Sequence, residues 1–357
     1  MTWNQLTGRI HELARLVGRD VYLMEVCGTH TMAAFRSGLR QLLPANVHLI
    51  SGPGCPVCVT DTNYIDAAIE LTRRADVTVA TFGDLLRVPG SDTSLEQERA
   101  VGGDVRIVYS PTDALMLARQ HPRRHVVFLG VGFETTAPTV AFNIWTAARD
   151  GVSNFHVLCA HKTMPRAMEA LLKDQTVRLD GFMCPGHVSV ITGLEMYEFI
   201  ARDYWRPCVV TGFEPADMLE GIAMLLAQIV AGVARVENQY TRSVTREGNR
   251  RAQELLAEVF EPCDASWRGL GVIPGSGLAI RPKYAAHDAA VALGVTFRAA
   301  RVHPGCRCGD VLRGVVQPTQ CPLFGKACTP LSPFGPCMVS AEGTCAAHYK
   351  YGYRMAA

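Results

Sequence analysis

The sequence predicts an α/β protein with two parallel-sheet α/β domains and a C-terminal, mainly helical and loop-rich module that contains many cysteines. From residue 20 to about residue 231, short apolar segments alternate with Gly/Pro-containing loops and with segments of helical period. This alternation is typical of parallel sheets covered by helices. Six of the 13 cysteines, by contrast, lie in the last 52 residues, which indicates a different kind of structure there.

The predicted strands are mostly continuous apolar runs, as expected of parallel strands that are buried on both faces. They cover residues 21–26, 47–50, 77–81, 105–109, 125–129, 155–159, 181–184 and 208–211. A helix is predicted to precede the first strand, because Leu6, Ile10 and Leu13 recur at helical spacing. Pro111 follows Ser110 at a favoured helix start after the fourth strand.

The order of these elements predicts α/β domains at residues 1–120 and 121–230. A helical linker is expected near 231–300, followed by the cysteine-rich module, so that linker and module together cover 231–357. Ligands of open parallel sheets bind at the carboxyl ends of the strands. The most unusual loops, at residues 27–30, 52–58, 132–138 and 185–189, all follow predicted strands. A short internal repeat is also present, since Gly-Phe-Glu occurs at 132–134 and again at 212–214.

Composition excludes several classes of function. Lys and Arg number 35 against 33 acidic residues, and this balance argues against a nucleic-acid surface. The longest apolar run, at 221–234, is shorter than the roughly 20 residues that a membrane-spanning helix needs. No export signal is recognised, so we expect a cytoplasmic protein without a membrane partner. Cytosolic thiols are kept reduced, and cysteines there more often bind metal or carry redox chemistry.

Cys27 lies between the first predicted strand and a helix. The helix N-terminus is expected to lower the pKa of the thiol, which favours a thiolate suited to a soft metal. His30, three residues further on, can reach the same point. A core cysteine beside a helix-capping Thr29 is an equally good interpretation.

Cys55 and Cys58 have the two-residue gap of a dithiol that closes to a disulfide or holds a metal. Gly52 and Gly54 allow the backbone to turn sharply around them. Two purely structural thiols are the less favoured alternative. A zinc site is disfavoured because the chain has no second CxxC motif to complete four ligands.

Two further loops contain candidate polar residues. Glu134 lies among small and hydroxylated residues, where it either orients a catalytic or metal-bound group or caps the following helix. His187 follows Pro185 and Gly186, and its position in a loop favours a functional role.

The C-terminal cysteines are separated by glycines and prolines rather than by a core-forming pattern. They are Cys306, Cys308, Cys321, Cys328, Cys337 and Cys345. Such a segment needs a covalent or metal link, and a [4Fe–4S] cluster on four thiolates would provide one and leave two cysteines over. Zinc is the alternative that spacing does not exclude, whereas disulfides are disfavoured by the compartment.

These motifs together resemble the HypD family of [NiFe]-hydrogenase maturation factors. The resemblance is carried by EVCGTH at 25–30, GPGCPVC at 52–58, GFETTAP at 132–138, PGHVS at 185–189, CTP at 328–330 and GPCMVSAEGTC at 335–345. It implies a central cleft that contains Cys27 and the Cys55/Cys58 pair. It also implies cluster ligation by Cys306, Cys321, Cys328 and Cys345, with Cys308 and Cys337 as a redox pair near the cluster.

The function implied by the resemblance is the assembly of the Fe(CN)2CO unit, with Cys27 as the ligand of its iron. The implied partners are the small chaperone HypC and then HypE, which delivers cyanide made with HypF. Reducing equivalents are hypothesised to pass from the cluster to Cys55 and Cys58. An iron-sulfur thiol–disulfide oxidoreductase and a zinc-stabilised scaffold without redox chemistry are the rival classes. Radical-SAM chemistry is excluded because no CxxxCxxC motif occurs.

Overall fold

A computed structural model describes residues 3–352. Its strands are β1 (Val21–Glu25), β2 (Val47–Ser51), β3 (Val77–Thr81), β4 (Val105–Ile107), β5 (His125–Gly130), β6 (Phe155–Cys159), β7 (Gly181–Pro185), β8 (Cys208–Thr211), β9 (Val236–Asn238), β10 (Phe260–Trp267) and β11 (Gly271–Ile280). Its α-helices are α1 (Trp3–Val17), α2 (Gly28–Arg36), α3 (Pro56–Val59), α4 (Thr62–Thr72), α5 (Leu95–Ala100), α6 (Pro111–Gln120), α7 (Ala137–Arg149), α8 (Met164–Lys173), α9 (Gly186–Thr192), α10 (Glu198–Tyr204), α11 (Pro215–Ala231), α12 (Arg250–Val259), α13 (Ala289–Ala292), α14 (Cys308–Leu312), α15 (Pro336–Val339) and α16 (Thr344–Ala347).

Two parallel sheets form the body of the protein, which confirms the predicted α/β class. The first has the strand order β2-β1-β7-β8-β9 and the second has the order β4-β3-β5-β6. Every pair of neighbouring strands in both sheets is parallel. All eight predicted strands are present, and β4 ends two residues earlier than expected, at Ile107.

Each sheet takes strands from both of the predicted segments 1–120 and 121–230. The chain leaves the first sheet after β2 and returns to its centre with β7, where Leu23 pairs with Gly181. The residues in between form the second sheet, so its strands are inserted within the first. The boundary expected at residue 120 therefore does not separate the sheets. Pairing between strands so far apart in the chain leaves no local signal in the sequence.

Residues 231–300, predicted as a helical linker, contain an antiparallel hairpin of β10 and β11 in addition to the short helices. Three glycines and one proline in β11 conceal the alternation that would identify it as a strand. β11 also contacts the segment that follows β6, because the N–H of Leu278 donates to the carbonyl of His161 at 3.1 Å. The hairpin is thereby attached to the second sheet.

Apolar packing joins the three parts of the chain. One face of the first sheet is covered by α1 and α11, whose buried side chains include Ile10 and Ile222. Another continuous cluster of buried residues extends from Met24 on the first sheet through Val79 on the second to Met338 of the cysteine-rich module. No helix among residues 3–352 is both long and apolar enough to span a membrane.

Helix α1 offers a direct test of this packing. Ile10 is fully buried against the first sheet, whereas Leu16 on the same helix is 62% exposed. We expect Ile10→Ala to lower the free energy of unfolding by about 2–5 kcal/mol, because it leaves a cavity in a packed core. Leu16→Ala should change it by less than about 0.5 kcal/mol. Chemical denaturation of both variants measures the difference, and equal effects would contradict the described position of α1.

Candidate functional site

The loops after β1 and β2 are in direct backbone contact. The N–H of Gly28 donates to the carbonyl of Gly54 at 2.9 Å. A Cβ atom at Gly54 would collide with the backbone of Cys27. Glycine at position 54 therefore allows Cys27 to lie beside the loop that contains Cys55.

A buried carboxylate ties together the two strands that lead into these loops. Glu25 accepts hydrogen bonds from Ser51 Oγ at 2.7 Å and from Arg40 Nη2 at 2.6 Å. Glu25 is fully buried, and burial raises its pKa while Arg40 acts in the opposite direction. Glu25 lies two residues before Cys27 and its partner Ser51 lies one residue before Gly52, so this network helps to fix where both loops begin.

Cys55 and Cys58 form a disulfide with a Cα–Cα distance of 5.2 Å. Both are buried, and the N–H of Cys58 lies 3.2 Å from Cys55 Sγ at the start of α3. This distance lies in the usual range for a disulfide, so the bond forms without displacement of the backbone. The short helix α3 holds it directly beside the Cys27 loop.

The surroundings of Cys27 differ from the prediction in one respect. Cys27 lies at the N-terminus of α2, as expected, but its pKa is raised to about 12. Burial is the largest cause and the nearby carboxylate of Glu342 is the next, whereas hydrogen bonds from the backbone N–H groups of His30 and Thr29 act in the opposite direction. The predicted lowering of the pKa is therefore wrong, because desolvation outweighs the helix terminus.

Glu342 is a site residue that sequence reasoning missed. It comes from the cysteine-rich module, and its Oε1 accepts a hydrogen bond from Thr29 Oγ1 at 2.7 Å. Its backbone and side chain also fill the space that a Cβ atom at Gly28 would occupy. The available signal was an acidic residue inside the GPCMVSAEGTC segment, three positions before Cys345.

His30 is fully buried and neutral. Its Nε2 lies 2.9 Å from the carbonyl of Gly212 and 3.0 Å from Thr211 Oγ1. Because a carbonyl only accepts hydrogen bonds, Nε2 carries the proton. Burial lowers the pKa of the ring to about 4, so Nδ1 has a free lone pair near neutral pH. No hydrogen-bond partner of Nδ1 occurs within residues 3–352.

Phe213 brings the two predicted histidines together. Its ring stacks on His30 with a centroid distance of 4.6 Å and on His187 at 3.9 Å. His187 is exposed, so the stack leads from solvent to the buried His30. Phe213 belongs to the second Gly-Phe-Glu repeat, and that repeat was its only sequence signal.

The six C-terminal cysteines line one pocket. Leu323, Phe324 and Met338 contribute apolar walls beside the sulfurs of Cys306, Cys308, Cys321, Cys328, Cys337 and Cys345. The thiol of Cys308 is adjacent to those of Cys306 and Cys337, and the thiol of Cys337 is adjacent to that of Cys345. Cys308 and Cys337, predicted as a pair, are thus direct neighbours.

This set of thiols in an apolar enclosure is the ligand chemistry of an iron-sulfur cluster. Cysteine supplies every metal-ligating side chain among the pocket-lining residues. As the side chains stand, no group of three or more His, Cys, Asp or Glu residues in the described chain is arranged to hold a metal ion. The choice of Cys306, Cys321, Cys328 and Cys345 as the four ligands stays a prediction, because all six cysteines line the same pocket.

The cysteine pocket adjoins the disulfide. Helix α15 packs against α3, and Cys58 Sγ lies 4.0 Å from the carbonyl oxygen of Pro336. The next residue in the chain is Cys337, which lines the pocket. Cys27, the Cys55–Cys58 disulfide and the cysteine pocket are therefore contiguous.

The match to known proteins extends over nearly the whole chain. The family model described as "Hydrogenase formation hypA family", HypD, matches residues 2–352. The chain belongs to the HypD family. The hydrogenase maturation factor HypD of Rhodobacter capsulatus is 49% identical over 98% of this chain and 96% of that protein. HypD of Escherichia coli K12 is 48% identical over 97% of this chain and 93% of that protein. The hydrogenase expression/formation protein HupD of Azotobacter chroococcum is 47% identical over 98% of this chain and 94% of that protein.

The GFETTAP motif makes a buried contact with helix α8. Glu134 of GFETTAP is buried, and its Oε1 accepts a hydrogen bond from the N–H of Met164 at 2.9 Å. It therefore binds the N-terminus of α8, not that of α7, which follows it in the chain. No hydrogen bond within residues 3–352 joins Glu134 to Cys27, Cys55 or Cys58.

The pH dependence of stability tests the environment of Glu134. Burial raises its pKa from 4.5 to about 7. The folded state therefore binds more protons than the unfolded state between these pH values, and stability from this group falls as pH rises from about 4.5 to 7. Glu134→Gln cannot titrate and so removes this loss. Across that range the free energy of unfolding of the wild type should therefore fall by roughly 2–3 kcal/mol relative to that of the variant. Urea unfolding at pH 4.5, 6 and 7.5 measures the difference, and a pH-independent difference would contradict the raised pKa.

Proposed function

We propose that this HypD-family protein is a cytoplasmic hydrogenase maturation factor on which the Fe(CN)2CO part of the [NiFe] active site is assembled. The observation that supports this most strongly is the contiguity of Cys27, the Cys55–Cys58 disulfide and the six-cysteine pocket. A soft iron site, a thiol redox pair and a set of cluster ligands are the three elements that such an assembly requires. Its relatives are named hydrogenase maturation factors.

Cys27 is proposed to hold the iron of the Fe(CN)2CO cargo. Low-spin ferrous iron with CN and CO ligands is a soft metal, and thiolate is the matching protein ligand. The raised pKa keeps the metal-free thiol protonated, so iron binding has to release a proton. His30 has no hydrogen-bond partner at Nδ1 among the described residues, so it can accept a hydrogen bond beside this site, but burial keeps its pKa too low for it to hold the released proton near neutral pH. Glu342, through Thr29, helps to orient the segment that contains both residues.

A [4Fe–4S] cluster is proposed to be held by Cys306, Cys321, Cys328 and Cys345. When bound, such a cluster supplies one-electron transfer. Cys308 and Cys337 would remain as neighbouring thiols. Cys337 follows Pro336, whose carbonyl contacts Cys58. The Cys308/Cys337 pair is therefore a neighbour of the Cys55–Cys58 disulfide.

Partners follow from the same proposal. A HypC-type chaperone would share the iron at Cys27, and HypE would then deliver the cyanide made with HypF. His187 is exposed and stacks on the ring next to His30, so it lies at an accessible edge of the site. The alternative function, an iron-sulfur thiol–disulfide oxidoreductase, is favoured by a single observation, the disulfide beside the cysteine pocket.

The cluster is tested by removing one pocket cysteine. Cys328→Ser should abolish most bound iron and acid-labile sulfide, because oxygen is a poorer ligand than thiolate for this cluster. It should also lower the melting temperature, since ligation is coupled to folding. Cys263→Ser, which changes a cysteine of the hairpin, is the matched control. Full iron and sulfide contents in Cys328→Ser would show that Cys328 is not a cluster ligand. Zinc instead of iron and sulfide in the wild-type protein would favour the zinc-stabilised scaffold.

The iron site is tested by infrared spectroscopy of the protein co-purified with its small chaperone. Cys27→Ala should lose the CN and CO bands while the cluster signal stays, because only the cargo ligand is removed. Cys263→Ala should keep both. Bands of wild-type intensity in Cys27→Ala would show that another residue holds the iron. Absence of the bands in wild type as well would favour the oxidoreductase.

A further inference from the structure

The turn of the β10–β11 hairpin lies between the cysteine pocket and helix α3, which holds the Cys55–Cys58 disulfide and is called the disulfide helix below. On one side, the backbone N–H of Arg268 donates to the carbonyl of Val59, the last residue of α3, at 2.9 Å. On the other side, Gly269 meets Gly309 so closely that a Cβ atom on either residue would collide with the other backbone. Gly309 follows Cys308, so the turn touches both sulfur sites.

The side chain of Arg268 is buried in this position with 8% of its surface exposed. Its Nε donates to the carbonyl of Thr60 at 3.2 Å and its Nη2 donates to Thr62 Oγ1 at 2.7 Å. Both acceptors are neutral. None of the ion pairs formed within residues 3–352 involves Arg268. A guanidinium is thus held inside the protein by neutral oxygens alone.

A buried cation is costly unless an anion lies nearby. The contact of Gly269 with Gly309 places the turn next to Cys308, one of the cysteines that line the pocket. Because both acceptors of Arg268 are neutral, no anion in direct contact offsets its charge. In the protein interior such a charge acts on neighbouring groups, and the anionic centre proposed for the pocket is one of them.

We propose that Arg268 is a positioning residue that sets the reduction potential of the centre bound by the pocket sulfurs, by fixing one positive charge between that centre and the disulfide helix. The inference rests on the proposed function, since it requires a bound cluster. Reduction adds an electron to a group that is already anionic. A nearby fixed cation stabilises the reduced form more than the oxidised form, and this raises the potential.

The test is a redox titration of the cluster, followed by electron paramagnetic resonance, in full-length protein. Arg268→Gln removes the charge and keeps a hydrogen-bond donor, whereas Arg268→Lys keeps the charge. Arg313→Gln is the matched control, because it removes an arginine charge from the cysteine-rich module, where Asp174 and Asp310 already compensate it. At a fixed ambient potential we expect Arg268→Gln to reduce the ratio of reduced to oxidised cluster at least tenfold, equivalent to about 59 mV for one electron. Arg268→Lys and Arg313→Gln should stay within threefold of wild type.

Iron and sulfide contents and melting temperatures of all four proteins accompany the titration. Unchanged potential in Arg268→Gln, or a shift in Arg268→Lys as large as in Arg268→Gln, would overturn the inference. If Arg268→Gln does not retain the cluster, Arg268→Lys decides: wild-type potential supports the role of charge, and loss of the cluster overturns it. A wild-type protein that binds no cluster would instead refute the proposed function itself.

Discussion

The close backbone contact between Gly54 and Cys27 is the constraint on which the site depends. It exists because β1 and β2 are parallel neighbours in register and end at the same edge of the first sheet. The buried ion pair of Glu25 and Arg40 stabilises this edge. Once the two loops touch, α3 places the disulfide beside Cys27, and the cysteine-rich module has a fixed surface on which to dock.

The cysteine-rich module is therefore part of the site and not an appended domain. Glu342 reaches the N-terminus of α2, and α15 packs on α3. Between these two contacts lies a pocket lined by all six C-terminal cysteines. The hairpin turn packs on the segment that follows Cys308 through the contact of Gly269 with Gly309. Any change that loosens the module would thus alter the surroundings of Cys27 as well as those of the pocket.

Local sequence patterns predicted most of the parts but little of their assembly. Apolar runs located every strand from β1 to β8, because parallel strands buried on both faces are continuous in sequence. The structure places Cys27 and the Cys55–Cys58 pair, which the motifs singled out, in adjacent loops. Two features depend on residues far apart in the chain and gave no local signal: the pairing of β1 with β7, and the approach of Glu342 to Thr29. The pKa of Cys27 was misjudged for the same reason, since burial is a property of the whole fold.

The insertion of the second sheet within the first affects the order in which the protein can fold during synthesis. β1 needs β7 on its open side, and β7 emerges from the ribosome more than 150 residues later. The strands of the second sheet are continuous in the chain, so this sheet can form first. Until β7 is made, the side of β1 that pairs with it is an open apolar strand edge, which is prone to aggregation. Such long-range pairing slows folding. Newly made chains should therefore depend on general chaperones until about residue 240 has been translated, and the cysteine pocket can close only after that.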